Sequence, residues 1–112
     1  LNPRSATSYA NLSKALFASG NPKEAVHAAE RALELDANCA QAHFELGVAQ
    51  GTLGKPAEAI KSFEFVISRE PRNAAAYSNL GMYRSATGDV KGAIQALERA
   101  TAINPQFAEA HT

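Results

Sequence analysis

Apolar and small residues recur along the chain with helical spacing, and the helical stretches come in pairs. His43, Leu46, Gly47 and Gln50 follow i, i+3, i+4, i+7, and Tyr77, Leu80, Gly81 and Arg84 do the same. After a break at Gly54 or Gly88 the period resumes through Ala59, Ile60, Phe63, Val66 and Ile67, and through Ala93, Ile94, Leu97 and Ala100. The spacing predicts helices near 6–19, 22–36, 40–53, 56–69, 74–87 and 90–103, joined as three hairpins. Stop and start signals agree with this division. Asn21-Pro22-Lys23-Glu24 offers a cap, a proline at the first helical position and a capping-box glutamate. Asp89, Ser5, Asn73 and the pair Asn38 and Gln41 open other helices. Pro71 and Pro105 disfavour helical geometry at Glu70 and Asn104, whereas unit one has Ala37 at that place.

The hairpins are copies of one another at a period of 34 residues. Ala6, Ala40, Ala74 and Ala108 keep that spacing, as do Tyr9, His43, Tyr77 and His111, then Leu12, Leu46 and Leu80, and then Gly20, Gly54 and Gly88. Ala25, Ala59 and Ala93 continue the series, followed by Glu30, Glu64 and Glu98. Repeat units therefore run 6–39, 40–73 and 74–107, with 1–5 and 108–112 as fragments of flanking units inside one domain, 1–112. Leu1-Asn2-Pro3 matches Ile103-Asn104-Pro105, so the segment is expected to come from a longer array. Its ends are expected either to associate with another copy or to fray beyond about residue 104.

These residues resemble the tetratricopeptide repeat, whose motif places aromatic, Leu, Gly and aromatic residues at positions 4, 7, 8 and 11, then Ala, aromatic, Ala and Pro at 20, 24, 27 and 32. Unit two supplies His43, Leu46, Gly47, Ala59, Phe63 and Pro71, and unit three supplies Tyr77, Leu80, Gly81, Ala93, Ala100 and Pro105. The resemblance covers the whole chain and implies an all-α, right-handed α-solenoid. Small residues at helix crossings fit that expectation, because they let backbones approach while large side chains fill the flanking space. Position 11 departs from the motif as Leu16, Gln50 and Arg84, with Tyr83 and Phe65 as neighbouring compensators, and Ser13 stands for glycine at position 8.

Composition narrows the class further. Eleven basic residues balance eleven acidic ones, so no positive field is present to attract nucleic acid or an anionic membrane surface. No apolar run approaches the roughly 20 residues needed to cross a bilayer. Cys39 is the one cysteine, so an intramolecular disulfide cannot form, and the balance favours a soluble, cytoplasmic chain.

Catalytic chemistry has little to build on. His43 and His111 occupy the ring position of the repeat, and His27 stands without a recurring partner. Cys39 and His43 are four apart, but a structural zinc site needs about four ligands. Gly51-Thr52-Leu53-Gly54 lacks the Lys-Ser/Thr ending of a phosphate loop. No enzyme activity, cofactor or metal is assigned. The charged residues of the second helices, among them Glu30, Arg31, Glu34, Lys61, Glu64, Glu98 and Arg99, mix both signs as a solvated outer face does.

The resemblance implies instead a concave groove lined by positions 2, 5, 6, 9, 12 and 13 of the first helices. Candidate groove residues are Asn11, Lys14 and Phe17 in unit one, Gln41, Phe44, Glu45 and Val48 in unit two, and Ser78, Asn79 and Met82 in unit three. Ala10, Gly51 and Ala75 share the same stripe. Phe44, Val48 and Met82 read either as an apolar binding surface or as packing between repeats. Asn11 and Asn79 share position 6, where arms of the O-linked N-acetylglucosamine transferases carry an asparagine ladder, and Glu45 interrupts it. Cochaperone members hold a peptide carboxylate with Lys, Asn, Asn, Lys and Arg at the places of Ala10, Lys14, Glu45, Ala75 and Asn79. All five differ, and Glu45 would repel a carboxylate. The expected function is a protein-interaction scaffold with an unidentified protein or peptide partner. A recognition or regulatory arm of a larger enzyme, and a self-assembling repeat segment, stand beside it.

Overall fold

The computed structural model describes residues 5–105. They form six α-helices: α1 (Ala6–Ala18), α2 (Pro22–Leu35), α3 (Ala40–Thr52), α4 (Pro56–Arg69), α5 (Ala74–Ala86) and α6 (Val90–Ile103). Each boundary lies within one residue of the sequence expectation. Each hairpin turns on a glycine with positive φ, at +85° in Gly20, +80° in Gly54 and +90° in Gly88. The paired turn bonds repeat too: in unit one Gly20 N–H donates to Phe17 O (3.0 Å) and Asn21 N–H to Leu16 O (2.9 Å). A left-handed residue with these two bonds closes the helix carbonyls, and glycine adopts it without strain.

Helix starts divide into two kinds. Ser5, Asn73 and Asp89 accept bonds from Ser8 N, Ala76 N and Gly92 N. Asn21 sits at the cap of α2 but makes no side-chain cap bond, so the expected capping box does not form. Lys55, which also precedes a proline, has nearly the same backbone (φ −118°, ψ 66°, against −117° and 68° for Asn21). The proline sets this boundary, since it drives the preceding residue out of helical space. Asn38 does not cap α3 either. Cys39 holds that place, and Asn38 accepts a bond from Arg69 (2.8 Å). Asp36 accepts from Asn38 N–H at 3.0 Å, which turns the chain where unit one lacks a proline.

The six helices form an α-solenoid measuring 40 × 26 × 22 Å. Each helix packs on the next in sequence; in addition α1 touches α3 and α3 touches α5, while α2, α4 and α6 do not touch one another. The first helices thus form an inner row and the second helices an outer row. The core consists of Ala59, Phe63, Val66, Ala76, Tyr77, Leu80, Ala96 and Ala100.

Small residues face large ones across each crossing. Gly47 lies under Phe63 and Gly81 under Leu97, while Ser13, at the same repeat position, is buried and donates its hydroxyl to Ala25 O at 2.7 Å. Position 11 has exchanged apolar filling for polar links. Gln50 accepts from the buried Ser62 (3.0 Å), and Arg84 reaches both Gly92 O (3.3 Å) and Glu64 of the preceding unit (3.1 Å). Of the two neighbouring aromatics, the Tyr83 ring covers Gly51 and stacks near Phe63, while Phe65 stacks on His43 at 3.8 Å, at position 4 of the unit.

Candidate functional site: the inner row of first helices

The ring position of each unit pairs with a second-helix residue that itself repeats every 34 positions. Arg31 lies over Tyr9 and Arg99 over Tyr77, both 5.8 Å from the ring centre. In unit two the pair is His43 on Phe65, and the cation comes from Arg69, 5.2 Å above the Phe65 ring. The outer-face arginines are therefore packed over rings as well as solvated. His43 Nε2 is 3.0 Å from Ala37 O. Among the described residues, no group of three His, Cys, Asp or Glu side chains is placed to hold a metal. His27 is exposed on α2, and the expectations for His111, the chain ends and fraying lie outside the described residues.

The candidate groove residues lie on α1, α3 and α5 and differ in how free their side chains are. Asn11 accepts a hydrogen bond from Gln41 Nε2 at 2.7 Å, tying α1 to α3. Asn79 Nδ2 donates to Ala75 O of its own helix at 2.9 Å. Phe44 and Val48 pack against the core, with Phe44 edge-on to Phe63 at 5.4 Å between ring centres. Phe17 and Ser78 are half-buried, Lys14 is exposed, and Met82 is 51% exposed. Two stripe positions do not face the groove. Ala10 is fully buried in a cluster with Ala32 and Ala42, and Gly51 lies under Tyr83. Both corrections have one cause. Neighbouring first helices touch, so Ala10 and Gly51 serve the helix-to-helix seam, whereas Phe44, at the position of Ala10, lines a recess.

Between α3 and α5 the face deepens into a recess lined by Gln41, Phe44, Glu45, Glu70, Asn73 and Ala75. Burial pushes the Glu45 carboxyl above the ordinary glutamate range, and the nearby Lys14 charge partly offsets this. Glu70 Oε1 accepts a bond from Asn73 Nδ2 at 3.0 Å. Sequence reasoning read Glu70 only as the residue before Pro71, and Asn73 only as a cap. Their second role arises because the α4–α5 loop folds over the rim, which a helical period does not encode.

None of the described helices is long and apolar enough to cross a membrane. Among curated proteins, none matches the chain. Solved structures do. MamA is 28% identical, with a TM-score of 0.84 over 97% of this chain and 64% of its own. YrrB, described as a tetratricopeptide repeat protein with an unusual peptide-binding site, is 27% identical, with a TM-score of 0.85 over 96% of this chain and 56% of its own. The second repeat domain of Spaghetti (RPAP3), solved with the HSP90 peptide SRMEEVD, shares the fold at 21% identity and a TM-score of 0.87, covering 92% of this chain and 95% of its own. The chain spans about three fifths of the length of the MamA and YrrB chains. The family model for the tetratricopeptide repeat matches residues 11–51 and 49–107, and the chain belongs to the tetratricopeptide repeat family.

Proposed function

We propose that the chain is a protein-interaction module that holds an extended or helical segment of a partner protein along α1, α3 and α5. Residues 1–112 act as one domain in this reading, with units 6–39, 40–73 and 74–107. One observation carries it: the inner row leaves Lys14 and Met82 exposed and Glu45 and Asn79 partly exposed on a face that also holds a recess, while the outer row engages its arginines with rings. Polar groups with spare bonding capacity beside exposed apolar surface are what a segment of another chain requires. The peptide complexes of the RPAP3 domains and the peptide-binding site of YrrB belong to those proteins and support the same class of function here.

A pull-down with the isolated chain, followed by Met82→Ser and Asn79→Ala, tests the reading. Partners should be weakened by these changes with the melting temperature nearly unaltered. Loss of binding on the outer-row change Arg99→Glu, with the inner-row variants unaffected, would move the surface.

Self-association through the ends is a second reading, favoured by a contrast between equivalent positions. Leu12 is 47% exposed, whereas Leu46 and Leu80 are 8% and 0% exposed; Ile94 and Leu97 on α6 are 52% and 39% exposed. A second copy could cover both faces by the stacking used inside the solenoid. Sedimentation over a concentration series tests it, and a monomer at all concentrations removes it.

A further inference from the structure

The recess beside α3 combines an apolar wall with two carboxylates that come from different elements. The wall is fixed, because the Phe44 ring stands edge-on to the fully buried Phe63. Glu45 projects from α3, and Glu70 is the C-cap of α4. Glu70 is oriented by Asn73. Glu45 has no hydrogen bond or ion pair among the described residues; the one charge that acts on it is Lys14, across the seam on α1. Neither Arg69 nor Arg72 lines this recess. Arg69 is bonded to Asn38 and lies over Phe65, and Arg72 lines a separate hollow with Pro71 and Arg99.

We propose that this recess receives a lysine or arginine side chain of the bound partner segment, its alkyl stem against Phe44 and its charged head between Glu45 and Glu70. The inference rests on the inner row being the binding face and adds the chemistry of the partner. Long basic side chains are suited to such a place, because the stem covers apolar surface while the head remains with its counter-charge. A half-buried carboxylate without a partner is desolvated at a cost, and an entering cation removes that cost. An acidic side chain at the same point would meet two carboxylates and be rejected.

An array of random twelve-residue peptides probed with the whole chain tests this. Peptides retained by the unaltered chain should carry Lys or Arg in one register. Glu45→Gln should weaken the best of them about tenfold, the scale of one lost charged hydrogen bond, with an unchanged or higher melting temperature. Glu45→Lys should turn the preference toward Asp and Glu at that register. Retained peptides without a basic residue, sensitive to Met82→Ser and indifferent to Glu45→Gln, would overturn the recess assignment and leave the inner row as the binding face. Basic peptides indifferent to both Glu45→Gln and Glu70→Gln would overturn it equally. An array that retains nothing would overturn this inference and the binding-face reading together.

Discussion

The Phe63 ring rests against the backbone of Gly47, its Cε2 atom 2.8 Å from where a Cβ on that glycine would stand. Phe63 is fully buried, met edge-on by Phe44 and stacked near Tyr83, so the ring has little room in which to retreat. Gly47→Ala should therefore destabilise the fold by about 1–3 kcal/mol. Denaturant unfolding measures this, and Phe63→Leu in the same chain should recover part of the loss by making room. Ser13→Ala, at the same repeat position, should cost only about 0.5–1.5 kcal/mol for its hydrogen bond.

The two kinds of helix start should respond differently to truncation. Asp89→Ala removes a side-chain bond to Gly92 N–H and should cost about 1 kcal/mol. Asn21→Ala removes no such bond, because Pro22 already fixes the boundary, and its melting midpoint should stay close to that of the unaltered chain.

Arg84 joins α5 to α6 through Gly92 O and to α4 through Glu64, with the arginine side chain 23% and the glutamate 48% exposed. A double-mutant cycle of Arg84→Ala and Glu64→Ala should give a coupling of about 0.2–1 kcal/mol that shrinks in high salt. Arg84→Ala alone should cost more than the coupling, since it also frees a backbone carbonyl.

Stability should carry the signature of Glu45. Its folded-state pKa is raised, chiefly by burial, so the folded protein binds the proton more tightly than the unfolded chain. The cost of ionisation is absent below the ordinary glutamate range, where both states are protonated, and complete above the raised value. Stability contributed by this group thus falls as pH climbs through that window. Glu45→Gln should flatten this segment of the pH profile and leave the neutral-pH melting temperature unchanged or higher.

Most of the fold was legible because the repeat restates each structural demand three times. A period of 34 residues marks the hairpins, and Gly20, Gly54 and Gly88 mark their turns, since only glycine enters that backbone region freely. Cap chemistry was legible where a side chain acts alone, as at Asp89, and misleading at Asn21, where a proline performs the same task. The site was legible by face and not by depth. Position counting put Gln41, Phe44 and Glu45 together, but it set Ala10 and Gly51 on the open stripe, because contact between neighbouring first helices depends on curvature. Tyr83 illustrates the same limit. Its ring lies over Gly51 of the preceding unit, a relationship across 32 residues that no local pattern announces.

The contact pattern of the two rows has a mechanical consequence. Consecutive units are joined through the first helices and through the α2–α3 and α4–α5 packings, while the second helices leave one another free, so bending fans the outer helices apart most readily. The seams between first helices differ in breadth: α1 and α3 share a broad one, whereas α3 and α5 barely meet. The recess of Gln41, Phe44, Glu45, Glu70, Asn73 and Ala75 bridges that narrower seam. A segment seated there acts as a brace across it, so occupancy would register as a change in the pitch of the superhelix as well as in the surface it covers.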